Sequence, residues 1–218
     1  PVFEEELKAC GVEYFDYFLM HAQSRNNYQK YCDCRAYEIG AELRAEGKIR
    51  HLGFSFHDSA EVLEENLAKH ADDVEFVQLQ INYIDWVDQE AEFFYNEAAK
   101  RGIPCMVMEP LKGGALANLT PDAEEILKEA APNDTVASWA FRYVGSLPNV
   151  LCVLSGMTEM EHLKDNLKTF SNFKPLTEAD RAVLDRAIAE FRRYKQIGCT
   201  ACRYCMPCKY GVDIPAIF

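Results

Sequence analysis

The sequence predicts an α/β fold built from repeated strand–helix units around a parallel sheet. Short apolar runs rich in β-branched and aromatic residues recur along the chain, and amphipathic stretches separate them, at roughly 30 residues per unit. Each run is apolar almost throughout, which is typical of strands buried on both faces of a parallel sheet. The chain has 218 residues, 49% of them hydrophobic, which is enough for a sizeable core in one domain or one domain with a small appendage.

The predicted elements alternate regularly over the first 170 or so residues. The strands are Tyr14–Met20, Ile49–Phe56, Val74–Ile81, Pro104–Met108 and Val150–Leu154. The helices are Ala36–Glu46, Ser59–His70, Asp88–Arg101, Thr135–Val144 and Glu159–Phe170. Gly47 and Gly102 are expected to end the first and third helices, and Asp58 with Ser59 to cap the second. Cys152 lies inside a strand run and is a predicted core residue.

The C-terminal part has a different organisation. Thr177 is the predicted N-cap of a further helix, which gives three regions: 1–175 with the strand–helix units, 176–198 with the helix, and 199–218 with a cysteine-rich motif. No low-complexity linker separates them, so we expect the cysteine segment to pack near the helices.

Five strands leave the architecture open. A closed barrel of strand–helix units needs eight strands in about 250 residues, and an open edge is an aggregation hazard. The chain would then be a fragment, or pair with something else, or form a different, open sheet. It begins with Pro1, so we expect the true start to lie upstream.

Composition excludes several classes of partner. The net charge of −12 and the pI of about 4.9 repel phosphate backbones and anionic lipids, so neither nucleic-acid nor membrane binding is expected. No signal peptide or membrane-spanning run is visible. Four of the nine cysteines lie within ten residues, and in a reducing cytosol such a cluster indicates metal binding rather than a disulfide framework. We therefore expect a cytoplasmic protein.

The residues at the strand ends indicate a family, because chemistry in parallel α/β folds lies at the carboxyl ends of strands. These ends read Phe18-Leu-Met-His21, Gly53-Phe-Ser-Phe-His57, Phe76-Val-Gln-Leu-Gln-Ile-Asn-Tyr83, Met108-Glu-Pro-Leu-Lys-Gly-Gly114 and Leu154-Ser-Gly-Met157, with Leu163-Lys-Asp-Asn166 in the last helix. In this order they resemble strands four to eight of the aldo/keto reductase family, over nearly the whole chain. The resemblance implies a partial (β/α)8 TIM-type barrel followed by a small cysteine-rich segment.

The resemblance also implies a reaction, hydride transfer between NADP(H) and a small carbonyl substrate. His21 takes the place of the histidine that orients the carbonyl oxygen. The alternative is that His21 has no catalytic role and only forms hydrogen bonds with the backbone at the end of its strand. The family's catalytic Tyr, Lys and Asp belong to strands one to three, so this chain alone is expected to be inactive. Tyr14, Tyr17 and Tyr83 do not match the position of that tyrosine.

Eleven residues match the cofactor side of the family site. They are Ser55, Gln78, Met108, Pro110, Leu111, Gly113, Gly114, Gly156, Met157, Asp165 and Asn166. Ser55 and Gln78 would hold the nicotinamide carboxamide, and Met108 stands where many members stack a tyrosine on the ring. Gly113 and Gly114 would leave backbone N–H groups open to the pyrophosphate.

The remaining cofactor positions lie around the last predicted strand and helix. Gly156 and Met157 would cradle a phosphate at a helix start, and Asp165 with Asn166 would meet adenine. The alternative is that the glycines only make turns and that Gln78 caps a strand.

The last cysteines form the densest motif, Cys199-Thr-Ala-Cys-Arg-Tyr-Cys-Met-Pro-Cys208. It resembles the ferredoxin-like tail of a bacterial subgroup of the same family, which implies a 4Fe-4S cluster and a redox partner protein. The ligands would be Cys199, Cys202, Cys205 and Cys208, and whether Cys208 completes this cluster stays open. Tetrahedral Zn2+ is the rival occupant. A non-enzymatic iron–sulfur electron carrier or a zinc-binding scaffold is therefore the alternative function.

Overall fold

The structure, a computed structural model, describes residues 2–194 and 203–217. Its strands are β1 (Phe15–Gln23), β2 (Ile49–Phe56), β3 (Phe76–Gln80), β4 (Cys105–Met108) and β5 (Val150–Val153). Its helices are α1 (Val2–Cys10), α2 (Tyr28–Asp33), α3 (Ala36–Ala45), α4 (Ala60–His70), α5 (Asp85–Asp88), α6 (Ala91–Lys100), α7 (Pro121–Ala130), α8 (Val136–Gly145), α9 (Met160–Ser171), α10 (Glu178–Tyr194) and α11 (Ile214–Ile217).

The strands form one sheet in the order β1-β2-β3-β4-β5. The pairs β1–β2 and β2–β3 are parallel, with Met20 opposite Phe54 and Ser55 opposite Gln78. The predicted α/β fold with a parallel sheet is therefore confirmed. None of the described helices is long and apolar enough to cross a membrane.

Burial differs between the inner and outer strands, which corrects one expectation. Most of β2 is buried, as predicted for a strand covered on both faces. In contrast, β1 and β5 stand at the two ends of the strand order, and much of each is exposed. Cys152 in β5 is accordingly exposed, so its assignment to the core was wrong, whereas Cys105 in β4 is buried.

The chain divides into two compact units, residues 1–80 with 92–106, and residues 81–91 with 107–218. The first unit has its core around β2 and β3, where Leu52, Phe54 and Val77 are almost fully buried. A Cβ at Gly53 would lie 2.5 Å from the carbonyl oxygen of Phe76, so only glycine permits this close approach of the two strands.

The second unit has a separate core, formed by α7, α8, α10 and the segments before α5 and α7. Trp139 on α8 is almost fully buried there, together with Leu127 and Leu184 of the two helices that flank it in the cluster. The predicted helix over 176–198 is present as α10, which the structure describes from Glu178 to Tyr194.

A reciprocal cap begins α10. The hydroxyl of Thr177 accepts from the Asp180 N–H at 3.1 Å, and the Asp180 carboxylate accepts from the Thr177 N–H at 3.0 Å. Thr177 is therefore the N-cap of α10, as the sequence predicted. Partial burial acts to raise the pKa of Asp180, but hydrogen bonds from Thr177 and the nearby Arg142 guanidinium outweigh it and hold that pKa below its usual value.

Candidate functional site

A large cavity opens in the second unit at the ends of β4 and β5. Its volume is about 1070 Å³, which is near the upper end of the range for small-molecule sites, about 300–1,000 Å³. The walls come from residues that follow β4 and β5, from α7, and from the N-terminal parts of α8 and α9. The size suits an extended ligand such as a dinucleotide better than a small metabolite.

Nine of the eleven residues assigned to a cofactor line this cavity. They are Met108, Pro110, Leu111, Gly113, Gly114, Gly156, Met157, Asp165 and Asn166. They come from three separate stretches of sequence, and the structure brings all three stretches to the same cavity. The lining also contains Glu109, Thr135 and Glu161, which were not assigned to a cofactor although each lies near an assigned residue or in a predicted helix. It contains Lys128 as well, which lies in α7, a helix that was not predicted.

The loop after β4 adopts an unusual backbone. Glu109, Lys112, Gly113 and Gly114 have φ values of 55°, 48°, 62° and 93°, in the left-handed region that favours glycine. The Gly113 N–H donates to the Glu109 carboxylate at 2.5 Å, and the Gly114 N–H donates to the Leu111 carbonyl at 3.0 Å. The expectation that both N–H groups are open was therefore wrong, because the loop satisfies them itself.

A buried polar network connects this loop to the segment 82–85. The Lys112 ammonium pairs with the Asp85 carboxylate, and their side chains are 4% and 0% exposed. The Asn82 side-chain amide donates to Asp85 at 2.6 Å and to the Glu109 carbonyl at 3.0 Å. The two positive-φ, non-glycine residues of the loop are thus each held by a contact to the segment 82–85, which offsets their strain.

Another wall of the cavity is organised around α9. The Asn166 side-chain amide donates to the Ser155 hydroxyl at 3.0 Å, and the Thr135 hydroxyl donates to the Asp165 carboxylate at 2.6 Å. Thr135 also caps α8 by accepting from the Ser138 N–H at 3.1 Å. These bonds fix the two residues that the resemblance assigns to adenine.

Gly156 is an exposed residue on this wall. A Cβ added there would meet nothing within 4 Å, and its φ lies outside the left-handed region. A larger side chain is therefore compatible with the backbone and would extend into open space.

The remaining assigned residues lie at strand ends of the first unit. Ser55 at the end of β2 is buried, and its hydroxyl accepts from the Ala22 N–H at 2.6 Å. Gln78 stands opposite Ser55 in the register of β2 and β3. His21 is exposed near the end of β1, and its carbonyl accepts from the Tyr31 hydroxyl. The three strand-end residues are thus carried by three adjacent parallel strands.

Sequence reasoning missed a buried amide network in the first unit. The Gln23 side-chain oxygen accepts from the Tyr37 hydroxyl at 2.9 Å and from the Asn66 amide at 3.2 Å. Gln23 and Asn66 are almost fully buried, and burial raises the pKa of Tyr37, so this hydroxyl stays protonated and donates. The network connects the end of β1 to α3 and α4 by hydrogen bonds, and no sequence pattern predicted it.

Tyr83, which the sequence analysis set aside as the acid, does not suit that role in the structure either. Tyr83 is 4% exposed, its hydroxyl has no hydrogen-bond partner among the described residues, and burial raises its pKa. Tyr14 and Tyr17 are exposed on and beside β1. A proton donor for a carbonyl needs a pKa closer to neutrality, so Tyr83 does not suit this role.

The cysteine motif is described only in its second half. Cys205 is exposed, Cys208 is half-buried, and Cys199 and Cys202 lie outside the described residues. Hydrogen bonds from the backbone N–H groups of Tyr210, and then of Val212 and Gly211, lower the pKa of the Cys208 thiol, with the Tyr210 nitrogen 3.4 Å from the sulfur. A thiolate held by N–H donors suits metal ligation. Within 2–194 and 203–217, no cluster of three or more His, Cys, Asp or Glu side chains is arranged to hold a metal ion.

Comparison with known proteins yields one family. Residues 2–189 match the profile of the aldo/keto reductase family. Among solved structures, a thermostable aldo-keto reductase in complex with the inhibitor epalrestat superposes with a TM-score of 0.67 at 25% identity, covering 85% of this chain and 64% of that one. An aldo-keto reductase from Bacillus halodurans gives a TM-score of 0.67 at 21% identity, covering 85% and 66%.

An aldo-keto reductase from Klebsiella pneumoniae in complex with NADPH gives a TM-score of 0.62 at 22% identity, covering 84% of this chain and 62% of that one. The chain therefore spans less than two thirds of the length of these three structures. No curated protein matches the sequence.

Proposed function

Because the chain belongs to the aldo/keto reductase family, we propose that it is part of a nicotinamide-dependent oxidoreductase whose second unit binds the phosphate and adenosine portion of the cofactor. The observation that carries the proposal is the single cavity of about 1070 Å³ lined by nine of the eleven residues assigned to a cofactor. We further propose that the five strands correspond to strands four to eight of a (β/α)8 barrel followed by a cysteine-rich tail.

The lining of the cavity fits a dinucleotide in shape and chemistry. Extended cavities with glycine-rich walls let backbone approach a phosphate closely. Asp165 and Asn166, fixed by Thr135 and Ser155, offer acceptor and donor groups to adenosine. This chemistry supports binding at the phosphate and adenosine end.

The resemblance assigns three residues of the first unit, Ser55, Gln78 and His21, to the nicotinamide and the substrate carbonyl. A bound nicotinamide would supply the hydride for a small carbonyl substrate. Ser55 and Gln78 carry a hydroxyl and an amide on neighbouring strands, which suit hydrogen bonds to a carboxamide. His21, exposed at its strand end, suits a hydrogen bond to the carbonyl oxygen of a substrate.

The test is dinucleotide binding to the full chain, measured by isothermal titration calorimetry with NADP+, NADPH, NAD+ and NADH. Gly156→Leu places a branched side chain in open space beside the cavity and should weaken binding roughly tenfold or more. Ser171→Leu adds the same side chain at the exposed far end of α9 and should leave affinity unchanged. Absence of binding by the folded chain, or equal affinity of both variants, would refute the proposal.

We also propose that the C-terminal motif holds a 4Fe-4S cluster that exchanges electrons with a redox partner protein. The support is the four-cysteine spacing and the lowered pKa of Cys208. Four thiolates would hold the iron, and the Tyr210 N–H would stabilise one of these sulfurs. A zinc-binding or purely electron-carrying scaffold is the alternative function.

Anaerobic reconstitution of the full chain with iron and sulfide distinguishes the 4Fe-4S proposal from the zinc-binding and electron-carrier alternatives. We expect iron, acid-labile sulfide and a broad visible absorbance, all lost in Cys205→Ser and retained in Cys34→Ser, a matched change outside the motif. Zinc retention without sulfide would favour the zinc scaffold. A complete cluster in a chain that binds no dinucleotide would favour the electron carrier.

A further inference from the structure

We propose that the cavity selects a nicotinamide dinucleotide without a 2′-phosphate, NAD(H), over NADP(H), with Asp165 and Glu161 as specificity-determining residues. The inference rests on the proposed function, because it concerns which dinucleotide the same cavity accepts. It departs from the NADP(H) that the family resemblance implies.

The first support is the charge of the lining. Five carboxylates and one lysine line the cavity, together with His162. The carboxylates are those of Glu109, Glu124, Asp134, Glu161 and Asp165. The 2′-phosphate of NADP(H) adds up to two negative charges to the adenosine end, so it gains no net attraction from such a wall.

The second support is that the nearby lysines already have partners. Lys128, the lysine of the lining, donates to Glu124 at 2.9 Å. Lys164 lies outside the lining, 3.4 Å from the Glu161 carboxylate. Lys168 donates to the Asn133 carbonyl at 2.6 Å and borders a separate, smaller pocket. A 2′-phosphate would have to separate a lysine from one of these partners before pairing with it.

The third support is the chemistry of the wall at α9. The Thr135 hydroxyl donates its hydrogen bond to the Asp165 carboxylate, so this donor is already occupied and is not available to a phosphate. The half-buried Asp165 has two oxygens and keeps acceptor capacity after this bond. An unmodified ribose 2′-hydroxyl can donate a hydrogen bond to the Asp165 carboxylate, whereas a 2′-phosphate is repelled by the negative charge of that carboxylate.

The pyrophosphate does not weaken this reasoning. Both dinucleotides carry it, and its interaction with the loop after β4 is the same for both. The ratio of the two affinities therefore isolates the 2′ position, even where the acidic lining lowers each affinity.

The experiment measures the affinities of NAD+ and NADP+ for the full chain by calorimetry at low and moderate salt. NAD+ should bind roughly tenfold or more tightly than NADP+ at low salt, with a smaller ratio at high salt because charge repulsion is screened. The double variant Glu161→Gln/Asp165→Asn should narrow the ratio several-fold by strengthening NADP+ binding. The matched control Glu178→Gln/Asp185→Asn removes two charges from exposed residues of α10 and should leave the ratio unchanged.

The outcomes separate the two proposals. If NADP+ binds as tightly as NAD+, or if the double variant does not narrow the ratio, the selectivity is refuted while the proposed function stands. If the folded chain binds neither dinucleotide, the proposed function and the selectivity both fail.

Discussion

The ion pair between Lys112 and Asp85 should be one of the most sensitive points of the second unit. Lys112→Met keeps most of the length of the side chain but removes the cation that pairs with the buried Asp85 carboxylate. The two side chains are 4% and 0% exposed, so water cannot replace the lost partner. Breaking a buried pair in this way costs roughly 3–5 kcal/mol in free energy of unfolding.

Urea denaturation followed by tryptophan fluorescence measures this loss, because Trp139 lies in the core of the same unit. Lys128→Met is the matched control, since its pair with Glu124 is on the surface and is worth no more than about 0.5 kcal/mol. The double variant Asp85→Leu/Lys112→Met should recover most of the stability, because no charge stays buried. A loss below about 1 kcal/mol in Lys112→Met, or no recovery in the double variant, would refute this reasoning.

Two further substitutions test the packing and the cap. The pKa of Asp180 is below its usual value, so its contribution to stability is complete above the unfolded-state pKa of about 3.9 and is lost as the pH falls through the folded-state pKa. Asp180→Asn should lower the free energy of unfolding by about 1 kcal/mol at pH 7 and should make stability fall less steeply as the pH is lowered. Asp185→Asn on the same helix is the control and should leave the pH dependence of stability unchanged. An unchanged pH dependence in Asp180→Asn would contradict the assignment of the cap. Gly53→Ala should lower the free energy of unfolding by roughly 1–3 kcal/mol, because its Cβ would lie 2.5 Å from the Phe76 carbonyl oxygen. Gly156→Ala is the control, and its thermal unfolding should be close to that of the wild type. Equal stability of the two variants would disprove the close approach of the strands.

The sheet was largely predictable because buried strands leave a clear signal in the sequence. The predicted Ile49–Phe56 coincides with β2, and the other four strands differ by a few residues at their ends. The burial of β1 and β5 was not predictable, since an apolar run does not indicate whether its strand lies inside a sheet or at the end of the strand order.

Helices were predicted less completely, for local reasons. No helix was predicted at α7, although Thr120 precedes Pro121 there and an amphipathic stretch follows. The six residues of α2 lie in a polar segment too short to show a helical period. The helix predicted from Asp88 begins instead at Ala91, because residues 85–88 form the separate short helix α5.

The site was predictable in composition but not in its internal bonding. Seven residues at strand ends and two residues of the last predicted helix share one cavity, as the resemblance implied. Pairing of Lys112 with Asp85, 27 residues apart, depends on how the loop after β4 folds back. The Glu109 carboxylate that occupies the Gly113 N–H likewise depends on left-handed backbone at non-glycine residues, which sequence patterns rarely reveal.

Hydrogen–deuterium exchange of the full chain, with and without saturating dinucleotide, is the most direct test that the second unit holds the cofactor. Binding should slow exchange in the segments 109–118, 154–158 and 160–166, which border the cavity, and leave α10 largely unaffected. Protection confined to segments away from the cavity, with these three segments unchanged by bound dinucleotide, would contradict the account.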